Sequence, residues 1–159
     1  MRKTSLSIGV VTLLIIGVAV CNAQNRPQYA QGRMGIGFVL GEPTGIAWKY
    51  RIDPAHAVDG AIGISPYNQF RMHVDYLWQS RPFEERNLAV HYGAGVALGS
   101  GRTYFSSREV GFGIRGVVGL NYLIRNTPLD LFLEAAPIIV LTPTSDMGAD
   151  VGFGARVYF

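Results

Sequence analysis

Cysteine is nearly absent from this chain: Cys21 alone in 159 residues, so no intramolecular disulfide can brace the fold. Lysine is almost as scarce, with only Lys3 and Lys49. Charged residues make up 16% of the sequence against 48% hydrophobic ones. Beyond residue 24 no apolar run reaches the roughly 18 residues that a membrane helix needs. No helical period of any length appears there either, which excludes helical bundles and α/β folds. Three dispersed histidines and one cysteine give no metal-ligand spacing, and no metal or other cofactor is expected.

What the chain does have begins at its N-terminus. Arg2 and Lys3 precede the apolar run "LSIGVVTLLIIGVAV", and "CNA" then supplies small residues at 21 and 23. A basic start, an apolar centre and a small-x-small site read as a secretory signal peptide over 1–23, cut between Ala23 and Gln24. Val20 directly before Cys21 is a poor match to a lipoprotein signal, so the anchor is not expected to be a lipid. Removing 1–23 takes Arg2 and Lys3 from the 14 basic residues, leaving 12 against 11 acidic ones, a net charge of +1. That balance excludes an electrostatic case for nucleic acid.

From residue 33 onward the pattern has period two, eight times over. "RMGIGFVLG" (33–41), "GIAWKYRID" (45–53), "HAVDGAIGIS" (56–65) and "FRMHVDYLW" (70–78) each alternate apolar with small or charged residues. "NLAVHYGAGVAL" (87–98), "EVGFGIRGVVGLNYL" (109–123), "PLDLFLEAAPIIV" (128–140) and "ADVGFGARVYF" (149–159) continue it. Turn sequences separate them: "GEPTG", "DPA", "SPYNQ", "QSRPFEER", "GSGRTYFSS", "RNTP" and "TPTSDMG". After a short segment at 24–32, residues 33–159 are therefore predicted to form one domain, an all-β, eight-stranded, antiparallel up-and-down barrel.

Such a barrel can bury its apolar face around a ligand, as soluble lipocalins do, or turn that face outward to lipid. The other face decides. It is mostly Gly and Ala, punctuated by long charged side chains, whereas a soluble exterior favours Lys, Glu, Thr and Gln. Glycine costs a strand conformational entropy and packs nothing. A narrow interior needs that mixture, because small residues leave room for a few large ones. Eleven arginines against one lysine after residue 23 suit tight bidentate pairing rather than solvation. The membrane arrangement is expected.

The last strand then carries a resemblance. Phe159 is preceded at every second position by Val157, Ala155, Phe153 and Val151. This resembles the C-terminal assembly signal of bacterial outer-membrane β-barrels. Residues 33–159 resemble in pattern and length the small eight-stranded barrels typified by the OmpA transmembrane domain and OmpX. The resemblance implies export to the bacterial outer membrane and a monomer among outer-membrane lipids. Periplasmic chaperones and the barrel-assembly machinery would be its partners during biogenesis. "DPA", "RNTP" and "QSRPFEER" would be periplasmic turns and the remaining four outer loops, which are short for such proteins. Tyr50, Tyr76, Trp78, Tyr122 and Phe159 would line the inner rim, with Phe38, Phe70 and Phe112 at the outer.

Strand parity points a set of ionisable residues inward: Lys49, Arg51, Asp59, Arg71, His73, Asp75, His91, Arg115, Asp130, Glu134, Asp150 and Arg156. Unpaired charge in a confined interior is expensive, so these residues are expected to neutralise one another as a plug, giving a structural or surface-interaction protein. The alternative is a small channel or passive transporter of ions or small solutes, with His73 or His91 lending pH sensitivity. Within the plug, Glu134 is expected near Arg115, with Arg156 a competing partner and Lys49 another across the lumen. Catalysis is not expected. The lipid A deacylases that use this architecture need a Ser–His pair on the lipid-facing rim. His73 and His91 point inward by parity and His56 lies at a periplasmic turn, leaving Ser106 and Ser107 without a base.

Overall fold

The computed structural model describes residues 32–159 except 66–68, 84, 86, 101–109, 126 and 143–144. The expected signal peptide over 1–23 and nearly all of the expected 24–32 segment therefore lie outside the described residues. Eight strands follow in chain order: β1 (Met34–Gly41), β2 (Thr44–Arg51), β3 (His56–Ile64), β4 (Phe70–Ser80), β5 (Leu88–Ser100), β6 (Val110–Leu123), β7 (Leu129–Thr142) and β8 (Asp146–Tyr158). Each pairs antiparallel with the next, and β8 returns to β1, so the sheet is a closed barrel without edges. All-β architecture and eight-fold closure are as the alternation predicts.

The boundaries differ in places, each for a local reason. β7 runs on to Thr142 and β8 starts at Asp146, because the ladder continues through Ile139↔Met147 and Val140↔Asp146. Most of the predicted "TPTSDMG" loop is therefore strand. β2 stops at Arg51 instead of Asp53, since Asp53 folds the turn that follows. Its carboxylate accepts hydrogen bonds from the Ala55 and His56 N–H groups at 2.7 and 2.9 Å, and His56 Nδ1 lies 2.8 Å from its second oxygen. The Ala55 N–H foremost, then His56, hold this carboxyl below its ordinary range. A depressed carboxyl stabilises the turn fully above its unfolded pKa, and that contribution fades as pH falls through the folded one.

Parity sorts the side chains along the long strands, apart from Thr142 and Asp146, which are exposed at the strand ends. Outward-facing apolar residues are open, among them Phe38 at 53%, Ile46 at 59% and Val151 at 57% exposure. Inward-facing ones are closed off, charged residues included. The outer wall also carries the polar-tipped aromatics: Trp78 packs edge-on against Tyr76 at 5.0 Å and stacks on Tyr92 at 5.9 Å. His56 approaches Tyr76 at 6.0 Å on that same outer surface, at the turn end.

Inside, bulk is matched by glycine across the strand. Lys49 faces Gly35, Arg71 faces Gly63 and Gly99, and Gly95 lies between Asp75 and Arg115. His91 and Glu134 flank Gly119, and Arg156 faces Gly37. An eight-stranded interior is only just wide enough for side chains to fill, so each long inward residue needs a neighbour with none. Gly119 is one example. A Cβ there would stand 2.5 Å from the His91 ring and against the Leu133 carbonyl. Gly119→Ala is accordingly expected to destabilise the barrel by about 1–3 kcal/mol, measured as a lower unfolding midpoint in detergent. An unchanged midpoint would show that the interior has slack.

Candidate functional site

Every inward ionisable residue predicted from parity is enclosed by the barrel wall. Lys49, Asp59, Arg71, His73, Asp75, His91, Arg115, Asp130, Glu134, Asp150 and Arg156 are buried, and Arg51 is half-buried near the turn end. Register explains why they must pair. Asp59 on β3 stands directly opposite Asp75 on β4, an arrangement that repels. Each is answered by a guanidinium from another strand, Arg156 for Asp59 and Arg115 for Asp75.

Arg115 on β6 is the hub. Its guanidinium lies 3.3 Å from Asp75 on β4, 3.6 Å from Glu134 on β7 and 3.5 Å from Asp150 on β8. His73 Nε2 completes the group at 3.9 Å from both Asp75 and Glu134. Towards the β1–β2 turn, Arg71 donates to Asp150 at 3.0 Å and lies 3.6 Å from Glu42, whose other oxygen accepts from Ser65 at 3.1 Å. Towards the end where β1 begins and β8 finishes, Arg156 donates to Asp59 at 3.2 Å and lies 3.6 Å from Asp130. Asn121 donates to Asp130 at 2.8 Å and accepts from Lys49 Nζ at 3.2 Å. Two rings shelter cations here: Arg156 lies 3.8 Å over Phe132 and Arg51 3.6 Å over Tyr158.

The expected Glu134–Arg115 contact is therefore present. Arg156 makes its ion pairs with Asp59 and Asp130 and Lys49 donates to Asn121, while both cations still attract the Glu134 carboxylate from further off. Sequence reasoning missed Glu42, hidden in a turn signal, and Asn121, a neutral residue on the right face. It also missed most of the large apolar residues of the interior, Phe132, inward by parity, being the exception. Val39, Leu77, Val117, Phe132, Ile138 and Val140 are all buried inside, so ionic clusters alternate with greasy ones. In Leu77 and Ile138 the clue was parity, obscured by apolar neighbours on both sides. Ser106 and Ser107 lie outside the described residues.

Chemically, among the described residues four buried cations (Lys49, Arg71, Arg115, Arg156) meet five buried carboxylates (Asp59, Asp75, Asp130, Glu134, Asp150). The near balance, with bridges drawn from β3, β4, β6, β7 and β8, ties opposite walls together across the lumen. At the closing seam, the Phe159 N–H donates to the Met34 carbonyl at 2.9 Å, so β1 and β8 pair up to the last residue.

The chain belongs to the family described as "Protein of unknown function (DUF3996)", whose model matches residues 25–157. No curated protein matches it.

The hub geometry ranks two substitutions. Arg115→Ala strips the shared partner from three buried carboxylates and is expected to cost about 3–5 kcal/mol. Glu134→Ala should cost less, because Arg115 keeps Asp75 and Asp150. Denaturant unfolding of both variants checks the order, and equal costs would mean that Arg115 is not the hub.

Proposed function

We propose that this member of the DUF3996 family is an integral protein of the bacterial outer membrane whose lumen is plugged by its own ion pairs. Its role in that reading is structural or surface-interacting, and it is not an enzyme. One observation carries the proposal: the apolar side chains lie on the outside of the closed barrel and the charges inside. In water that wall would be an uninterrupted apolar surface far larger than a soluble monomer tolerates. In lipid it is what a spanning barrel requires, with every strand's backbone paired and no edge left open.

Other features support the same reading. A tilted strand crosses a bilayer in about 9–11 residues, and β3 to β8 have 9 to 14. Tyr50, Tyr76, Trp78 and Tyr122 cluster on the outer wall towards the end that holds the termini, where an interfacial girdle belongs. The likeness to OmpA- and OmpX-type barrels, the export signal over 1–23 and the terminal Phe153–Ala155–Val157–Phe159 signal complete it. Outer-membrane lipids would be the standing partners of a monomer. Chaperones and assembly machinery would act in transit. Ionic bridges across the lumen favour the plug over the small-channel alternative.

Full-length protein expressed with its leader is expected in the outer-membrane fraction, migrating faster on gels unheated than boiled. A form lacking Phe159 should reach that fraction at much lower level. Recovery in the soluble periplasm, with no heat-dependent shift, would overturn the proposal. Equal levels of the shortened form would remove only the assembly-signal part.

A further inference from the structure

We infer that the barrel has a second activity in acid, the conduction of small anions along its lumen. The inference rests on the plugged-lumen reading. It starts from a chemical asymmetry between the two kinds of interior charge. Four of the five inward cations are arginines: Arg51, Arg71, Arg115 and Arg156, with Lys49 the fifth. A guanidinium stays charged at any pH a protein meets, whereas a carboxylate is discharged by one proton. Acid therefore removes one sign of charge from the lumen and leaves the other.

The contacts specify what is released. Arg115 is faced by Asp75 and His73 from β4, Glu134 from β7 and Asp150 from β8. Arg71 is faced by that same Asp150 and by Glu42 from the turn after β1. Arg156 is faced by Asp59 from β3 and Asp130 from β7. All these partners except His73 are carboxylates, and His73 gains positive charge in acid instead. Protonation thus turns a nearly neutral interior into a cationic one, with no counter-charge of its own. Buried cations whose carboxylate partners have lost their charge draw in water and anions. The bridges that tied the walls across the lumen lose their ionic attraction at the same moment.

Placement makes the cations a path. Arg71 is the second residue of β4, close to the β1–β2 turn end. Arg115 lies sixth in β6, deeper in. Arg156 and Arg51 sit towards the far ends of β8 and β2, at the end of the barrel where β1 begins and β8 finishes. An anion entering either mouth passes these cations in turn, with the apolar clusters around Leu77 and Ile138 packed between the ionic ones. A cation such as potassium meets repulsion throughout, so the path selects for chloride-sized anions.

The test uses the full-length purified barrel in a planar bilayer under a potassium chloride gradient, stepped from pH about 7 to about 4 and back. Gel migration of the same samples monitors folding. The expected result is silence near neutrality, steady conductance in acid whose reversal potential lies on the chloride side, and silence again on return. Silence in acid with the barrel still folded would overturn the inference and leave the plug standing. Cation-selective acid conductance, or unfolding in acid, would overturn it likewise. Steady conductance at neutrality would overturn the plug and the inference together. Replacing Arg115→Gln together with Asp75→Asn removes one stage while balancing charge, and should cut the acid conductance several-fold. An undiminished conductance counts against the inference. Should that variant fail to fold, the wild-type reversal potential decides alone.

Discussion

A guanidinium enclosed in a narrow barrel cannot shed its charge, and it cannot be left without a counter-ion. Arg115 meets this constraint by drawing on Asp75, Glu134 and Asp150 from three other strands. Those strands must therefore stand at one height, in one register. A one-residue slip of any strand would carry its charges to the outer wall and its aliphatic residues inside. The ionic hub and the alternation thus specify each other: the pattern sends charge inward, and the pairing of that charge penalises every other register.

The glycines belong to the same constraint. Arg71, Asp75, His91, Glu134 and Arg156 could not occupy the interior together unless their cross-strand neighbours were reduced to backbone. Strand glycine normally weakens a sheet. Here it is the means of fitting long polar side chains into a lumen of eight strands. The apolar residues between the ionic layers, Leu77 and Val117 among them, keep water from those pairs and strengthen them electrostatically.

Much of this was legible in the sequence, since parity is a local property. Reading every second residue placed each inward charge on the correct face and gave eight strands with the right connections. The pairings were not legible, because partners such as Arg156 and Asp59 lie far apart in the chain. Choosing between Asp59 and Glu134 needs strand heights accurate to a residue or two, finer than a turn motif can fix. Glu42 was lost to the turn it helps form. Val39, Ile138 and Val140 were lost because an apolar residue between apolar neighbours announces no side. The longer β7 and β8 arose from a ladder that persists through polar residues, Thr142 and Asp146, which read locally as loop.

The inside-out arrangement can be tested without altering a residue. The chain has two tryptophans, Trp48 and Trp78, and both belong to the outward-facing parity of their strands. In vesicles whose phospholipid acyl chains carry bromine, a short-range quencher, intrinsic fluorescence should fall strongly as the protein inserts and folds. A water-soluble quencher such as iodide should have little effect. Fluorescence quenched by iodide and untouched by brominated lipid would mean that this wall does not face a membrane.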